Sequence, residues 1–371
     1  MGKFIIISSC YKPNTAPINR LLSFLAAFDK MGIKTEMVFV YSDTNQSKIL
    51  TPYTNITIKY LWDKQRINNK FIKYANSFLS VYRFAKKLQS DDHIFCFGCA
   101  QYLPIIVNSP AKVFHERTEH PSIVRVYPSF LQKPYLNACK KLSGIFVISS
   151  ALKQYFETLG VKNVHVINMT VDPTRFDNLK KQPQLFPYIG YCGTASNNKD
   201  GVNELIKSFA IVHAKYPRYK LVIMGKAPTK NEKSENIKLV ENLKLMESVI
   251  FTGVIPADQI PQHLLNADIL ALDRPNSLQA QYGFPTKLGE YLLTANPVVV
   301  TKVGDIPLFL TDKVSALLAE PCNIQSFSNN LIWAIENTEK ARQIGYNGYK
   351  IALKEFNSSS EALKIINIMF A

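Results

Sequence analysis

The chain has 371 residues, 47% of them hydrophobic, and a formal net charge of +16. That length exceeds one ordinary domain and points to two, each able to bury a real core. Nothing approaches the 18 consecutive apolar residues of a membrane span, and no nucleic-acid motif accompanies the positive charge.

Apolar runs alternating with helix-length segments predict parallel α/β architecture. The runs are Lys3–Ser8, Glu36–Val40, Ile94–Gly98, Ala111–Phe114, Gly144–Ser149, Pro187–Gly190, Lys220–Met224, Ser248–Thr252, Asp268–Leu272 and Pro297–Thr301. The first turns polar within a few residues, as a strand does and a signal peptide does not. Cysteines 10, 96, 99, 139, 192 and 322 mostly lie in or beside such runs. Cys96 and Cys99 form a C-x-x-C without a second pair or a ligand-spaced His, so buried thiols of a reducing cytoplasm are expected.

Charge is concentrated in the first half. Residues 1–170 hold 22 Lys and Arg against 9 Asp and Glu, whereas residues 171–371 hold 22 against 19. The loop after the first strand carries Lys12, Pro13, Asn14, Pro17 and Arg20, and its two cations are possible phosphate or acceptor contacts. The segment Trp62–Lys87 interleaves Lys64, Arg66, Lys70, Lys73, Arg83, Lys86 and Lys87 with Phe71, Ile72, Phe78, Leu79, Val81, Tyr82 and Phe84. Such a stretch suits an anionic membrane surface or an anionic partner, or else a solvated helix face over an ordinary core.

After Ala111–Phe114 comes His-Glu-Arg-Thr-Glu-His-Pro, residues 115–121. Loops at strand C-termini in open α/β sheets face the ligand crevice, so this cluster is expected to project into it. The alternative is a helix start in which Glu116 and Glu119 favour the dipole. A zinc site from His115, Glu119 and His120 is disfavoured by Pro121, which interrupts the helix their spacing would need. The polar, proline-containing stretch Asp172–Gln184 reads as an interdomain linker.

Beyond it, the strand at Tyr188–Gly190 enters Tyr-Cys-Gly-Thr-Ala-Ser-Asn-Asn-Lys-Asp-Gly, with Gly193, Lys199 and Gly201, before a helix near Val202. A small-residue loop containing a Lys at a strand's C-terminal end is where an open sheet binds phosphate, although the Walker spacing is absent. Further strands end at Gly225 and Gly253. The block from Gly283 to Asp305 then sets Gly283 and Pro285 before a helix carrying Lys287 and Glu290, followed by a buried strand. A helix N-terminus holds phosphate, a Lys there can pair with a diphosphate, and a carboxylate one turn on can accept ribose hydroxyls. The plainer reading makes Lys287 and Glu290 a solvated i,i+3 pair. The tail opens with Ser358-Ser-Ser and Glu361, a helix-start signal followed by apolar residues.

The strand-Cys192-Gly-Thr run with Lys199, the Gly225 turn, Phe251-Thr-Gly253, Asn266-Ala-Asp268 and the Pro285-to-Pro297 block resemble the C-terminal domain of GT-B-fold retaining glycosyltransferases, glycosyltransferase family 4. Phe146-Val-Ile-Ser-Ser150 and Val166-Ile-Asn-Met-Thr-Val-Asp172 resemble the family's last N-domain strand and crossing segment. The resemblance implies two Rossmann-like domains with parallel sheets facing a central cleft: an acceptor-binding domain at 1–172, a nucleotide-sugar-binding domain at 173–355, and a final helix at 356–371 packing back on the first. It implies a metal-independent enzyme without cofactor that transfers a sugar, with retention, from a nucleotide-sugar to a saccharide or polyprenyl-diphosphate-linked acceptor. The setting expected is bacterial surface polysaccharide synthesis, in the cytoplasm or on the inner membrane leaflet.

Carried over by position, Gly193, Thr194, Lys199 and Lys287 would border the diphosphate. Glu290 would hold the ribose, with Gly225, Val254 and Ile255 near the nucleoside. Tyr282, Gly283 and Phe284 would lie by the donor sugar, with backbone N–H groups offered by Gly283 and Phe284. His115, with Glu119 as second candidate, would act at the reacting sugar. Two positions depart from the family: Thr194 replaces the usual cation after the first-loop Gly, and Tyr282 replaces a sugar-contacting glutamate. A nucleotide-sugar epimerase of the same architecture and a non-catalytic binding protein are the alternative readings.

Overall fold

The computed structural model describes residues 2–11, 15–42, 53–62 and 69–371. Lys12, Lys64 and Arg66 lie outside them. The chain divides into two compact units, one formed by Met1–Asn168 with Ser358–Ala371, the other by Met169–Asn357.

The first unit is built on seven strands: β1 (Phe4–Ser8), β2 (Thr35–Tyr41), β3 (Ile56–Trp62), β4 (His93–Cys96), β5 (Lys112–Arg117), β6 (Gly144–Val147) and β7 (Val164–Val166). All pairings are parallel, in the order β3-β2-β1-β4-β5-β6-β7. Strands covered on both faces read as continuous apolar runs, and all five residues of β1 are buried. The edge strand β3 is half-exposed, and its mixed pattern gives no such run. The helix Ala16–Lys30 starts with Pro17 in its first turn, where the missing N–H costs nothing. It buries Ile18, Leu21, Phe24, Leu25 and Phe28 at helical spacing, and Gly32 in a left-handed conformation follows its end.

The helix Ser358–Phe370 completes this unit's core, placing Ala362, Ile365 and Met369 in one cluster with Phe4, Phe24 and Phe28. The Phe370 ring meets Phe4 edge-on at 5.9 Å and stacks on His93 at 4.3 Å. Glu361, 1% exposed, accepts the Asn168 N–H at 2.8 Å and the Lys364 ammonium at 2.6 Å.

The strand read at Ala111–Phe114 is longer than its apolar run, because β5 continues through His115, Glu116 and Arg117, all buried. Internal partners make this possible. The Arg20 guanidinium donates to Glu116 at 2.9 Å and to the carbonyls of Asn168 and Ile167 at 2.6 and 3.1 Å, and Arg117 Nε donates to the Glu119 carbonyl at 2.8 Å. A buried ion pair whose remaining donors are also satisfied is tolerated where a lone charge is not.

The second unit holds β8 (Tyr188–Cys192), β9 (Lys220–Met224), β10 (Val249–Gly253), β11 (Ile269–Leu272), β12 (Val298–Thr301) and β13 (Leu317–Ala319), paired in parallel as β10-β9-β8-β11-β12-β13. The chain winds outward from β8 to β10 and then returns to β8's other side, so the switch point lies between β8 and β11. Ligands of open parallel sheets gather outside the strand ends at such a point. The stretch 172–184 is pinned to this unit: Lys181 Nζ reaches Asp268 at 3.0 Å, and the Gln182 N–H donates to Asn266 at 2.9 Å. Among the described residues, no helix is long and apolar enough to cross a membrane.

Because Ile365 is fully buried in the first unit's core, Ile365→Ala is expected to destabilise that unit by about 2–4 kcal/mol through lost burial and a residual cavity. Equilibrium denaturation of the full chain, followed by circular dichroism and tryptophan fluorescence, measures it. An unchanged midpoint would mean that the helix does not complete the core.

Candidate functional site

The C-terminal end of β8 runs into Gly193, whose φ of +153° and position against the Lys287 side chain both require glycine. A Cβ on Gly193 would lie 2.1 Å from Lys287 Cε and 2.7 Å from its Nζ. Gly225, at the end of β9 with φ +127°, comes equally close, since a Cβ there would lie 1.9 Å from the Gly193 carbonyl oxygen. Gly225 N–H donates to the Gly253 carbonyl at 2.7 Å, so the ends of β8, β9 and β10 meet in backbone contact. Val254 is exposed and Ile255 half-buried just beyond.

Ser196 caps the short helix Asn197–Asp200 by accepting the Lys199 N–H at 3.3 Å. Asp200 is 1% exposed and receives Lys287 Nζ at 2.5 Å. The Tyr191 hydroxyl lies 3.0 Å from the same carboxylate oxygen and 2.6 Å from the Thr194 carbonyl, and Arg274 Nε stands 4.0 Å from the other oxygen. Burial pulls the Lys287 pKa down, the Asp200 charge opposes that, and the Lys199 and Arg274 charges pull further down. Two cationic side chains thus face one buried carboxylate, with Lys199 adding positive potential from the same loop. An anion arriving here meets an excess of positive charge.

The helix Thr286–Leu293 is held against β8 by Tyr291, whose hydroxyl accepts the Cys192 N–H at 2.7 Å and lies 3.1 Å from the Cys192 carbonyl. Burial pushes the neighbouring Cys192 thiol up to about 11, so it stays protonated at neutral pH. On the helix's other flank Gly289 admits the segment at Met169 and Val171; a Cβ there would lie 2.3 Å from both side chains. That close approach carries Arg175, on the turn Pro173–Phe176, to Glu290, with which it forms an ion pair. Arg175 also donates to the Ala257 carbonyl at 3.0 Å. Burial raises the Glu290 pKa and Arg175 lowers it. Lys287 and Glu290 are therefore no solvated i,i+3 pair, because each is engaged by a different partner across the fold.

The structure draws Gly193, Thr194, Lys199, Lys287, Glu290 and Gly225 to one edge of the six-stranded sheet, together with Asp200, Arg274 and Arg175, which sequence reasoning missed. A signal for Arg274 was available: Asp273-Arg274 directly follows the buried run of β11 at the switch point. The Phe284 ring belongs to the core, 8% exposed, against Phe309 and Phe356 at 5.5 Å each, which leaves the expectation for its backbone N–H as it stood. One expected contact is corrected. The Gly283 N–H is taken by the Gln279 carbonyl at 3.1 Å, so it is not on offer to a ligand. Tyr282 ends the helix Leu278–Tyr282 and is half-buried.

His115 is also corrected. It lies inside β5, 1% exposed, with Nδ1 donating to the Cys96 carbonyl at 3.0 Å and Nε2 accepting from the Tyr135 hydroxyl at 3.3 Å. Burial lowers its pKa to about 3, the Cys96 carbonyl opposes this, and the Arg117 charge lowers it further. A neutral histidine with both nitrogens engaged inside the core cannot shuttle protons at a sugar. Glu119 sits beyond the strand, half-buried in the following loop. Among the described residues, no three His, Cys, Asp or Glu side chains are grouped to hold a metal ion.

Two doubly wound parallel units with a cationic strand-end site in the second define a GT-B fold. Residues 174–351 match the family described as glycosyl transferases group 1, so the second unit carries that domain. A Bacillus subtilis (strain 168) protein named "Putative teichuronic acid biosynthesis glycosyltransferase TuaC" is 24% identical over 236 residues, which are 60% of this chain and 55% of that protein. The chain thus spans about half the length of that curated relative. Among solved structures, Anabaena HepE in complex with UDP and glucose superposes with a TM-score of 0.78 at 19% identity, covering 100% of both chains. The S. aureus TarM G117R mutant, in complex with Fondaparinux, alpha-GlcNAc-glycerol and UDP, gives 0.74 at 12% identity, again over 100% of both.

One acid beside this site sets a pH dependence. Asp273, 3% exposed, has its pKa raised to about 7, first by burial and then by the Glu204 charge, against a hydrogen bond from Ser208. Its folded pKa lies above the unfolded value of about 4, so its contribution to stability is present below pH 4 and lost as the pH rises through 7. Asp273→Asn is therefore expected to melt higher than the parent at pH 8, with the gap closing toward pH 4. A melting-temperature series across that range tests this, and a gap independent of pH would refute it.

Proposed function

We propose that the protein is a glycosyltransferase that takes a sugar from a nucleotide-sugar and passes it, with retention of anomeric configuration, to a saccharide or polyprenyl-diphosphate-linked saccharide in bacterial surface polysaccharide synthesis. The observation that carries this reading is the placement of Lys287 against Gly193, at the end of β8, with Glu290 one helical turn further on. The glycosyl transferases group 1 match over this unit, and the UDP and glucose named with the HepE neighbour, support a UDP-hexose donor.

In this reading Lys199, Lys287 and the strand-end N–H groups take the diphosphate, and Glu290, preset by Arg175, takes the ribose hydroxyls. The nucleoside lies by Gly225, Val254 and Ile255. The bond from the anomeric carbon to the diphosphate oxygen breaks as the acceptor oxygen bonds to that carbon on the same face. The acceptor proton leaves on the diphosphate. Negative charge grows on the departing diphosphate, and preplaced cations stabilise it there without a metal. Lys287 stands in for the cation missing at Thr194, Tyr282 borders the donor sugar in place of the family's glutamate, and Glu119 is the candidate from the first unit.

A thermal-shift panel of UDP-, GDP-, ADP- and dTDP-sugars tests the donor class. A UDP-sugar at about a hundredfold excess over its Kd is expected to raise the melting point by about 5–10 °C. Glu290→Ala should abolish the shift, and Lys287→Ala should lower donor turnover about 100-fold and also lower the melting point, because it leaves the buried Asp200 carboxylate without its nearest cation. No shift with any nucleotide-sugar would favour a non-catalytic protein.

A further inference from the structure

We infer that the first unit carries an aromatic and basic face that docks on an anionic lipid bilayer. This inference stands apart from the donor-site reading, because none of its residues belongs to that site.

Two stretches of the chain contain no Asp or Glu at all: residues 64–90, with seven Lys and Arg, and residues 120–156, with five. Among the described residues of the first unit, ten large hydrophobic side chains are exposed, and seven of them lie in these two stretches: Phe71, Ile72, Leu79, Tyr82, Val124, Tyr127 and Phe130. Phe71, Tyr127 and Phe130 are 80%, 83% and 71% exposed.

The helix Lys70–Ala85 is apolar on two sides. Its inner side buries Ser77, Val81 and Ala85, while the Phe78 ring packs on Tyr74 at 4.7 Å and on Tyr102 at 4.9 Å. Its outer side presents Phe71, Ala75, Leu79 and Tyr82 at intervals of four, four and three, all exposed, with the exposed Lys86 just past the helix end. An ordinary surface helix is polar on its outer side, so an outward apolar stripe marks an interaction surface. The second stretch lies close by: the helix Lys70–Ala85 packs on the turn Leu103–Ile106, which packs on the helix Gln132–Cys139 that directly follows the turn carrying Phe130. Arg125, Lys133, Arg83, Lys86 and Lys87 are exposed around these side chains.

The charge pattern selects the occupant. A second copy of this surface would bring cations against cations with no acid to pair them, which opposes self-association. An anionic bilayer attracts each Lys or Arg near its surface, and its interfacial zone accepts aromatic rings. Phe71, Tyr127 and Phe130 would enter that zone while the cations remain at the headgroups.

Vesicle flotation of the full chain is the test. Binding to vesicles with 30 mol% phosphatidylglycerol is expected to exceed binding to pure phosphatidylcholine at least about tenfold. The triple substitution Phe71→Ser, Tyr127→Ser, Phe130→Ser should weaken it about tenfold or more, with the melting temperature retained. As a second variant, Arg83→Gln with Lys86→Gln and Lys87→Gln should weaken binding to anionic vesicles only. Equal binding to neutral and anionic vesicles, or full binding by the triple variant, would overturn the inference. So would a dimer in sedimentation equilibrium that the triple substitution dissolves. A nucleotide-sugar shift present or absent in the same preparations reports on the donor site separately.

Discussion

The ion pair between Lys287 and the buried Asp200 governs the second unit's strand-end site. Removing a carboxylate from water is costly unless its oxygens are engaged, and here Tyr191, Lys287 and Arg274 surround it. The pair fixes an otherwise flexible lysine at one place, against Gly193. A preplaced cation loses little freedom when an anion binds, which is what transition-state stabilisation by charge requires. Asp200 thereby stores a cation at the site without neutralising the whole cluster, since Arg274 and Lys199 remain within electrostatic reach.

Backbone geometry makes that arrangement possible. The ends of β8 and β9 touch at Gly193 and Gly225, where any side chain would strike a carbonyl oxygen or the Lys287 stem. A helix away, Gly289 acts similarly by letting the turn that carries Arg175 reach Glu290. These close approaches pull residues as distant as Arg175 and Glu290, or Asp200 and Lys287, into one small volume. The conformational freedom of Gly193 and Gly225 would be a liability inside a regular element and serves at the strand ends, whereas Gly289, within its helix, serves by having no side chain under the packed segment.

Much of the architecture was legible in the sequence, because strands buried on both faces must be apolar runs. The strands that escaped notice show the limit of that signal: β3 is a half-exposed edge, while β7 and β13 are three residues long. The site was only partly legible. Its glycines, Lys199, Lys287 and Glu290 form a local pattern around strand ends and a helix start. Asp200, Arg274 and Arg175 are set by contacts across the fold, which periodicity cannot reveal. His115 was misread for the same reason. A polar residue after an apolar run looks like a loop until Tyr135 and the Cys96 carbonyl are seen to satisfy it.

Location rather than total charge separates the two sets of cations. The exposed arginines and lysines of the first unit act through water, where salt screens their attraction beyond about 8 Å at physiological ionic strength. Those around Asp200 lie within low-dielectric surroundings and are screened far less. The near balance of acids and bases in residues 171–371 thus conceals a strong local field, whereas the excess in residues 1–170 is spread over a surface. Added salt should therefore act on the two sets differently, weakening the bilayer attachment proposed for the outer cations at concentrations that leave the field around Lys287 nearly intact. A single +16 chain can hold both because the fold buries one set of charges, while most of the other stays at the surface with few acids nearby.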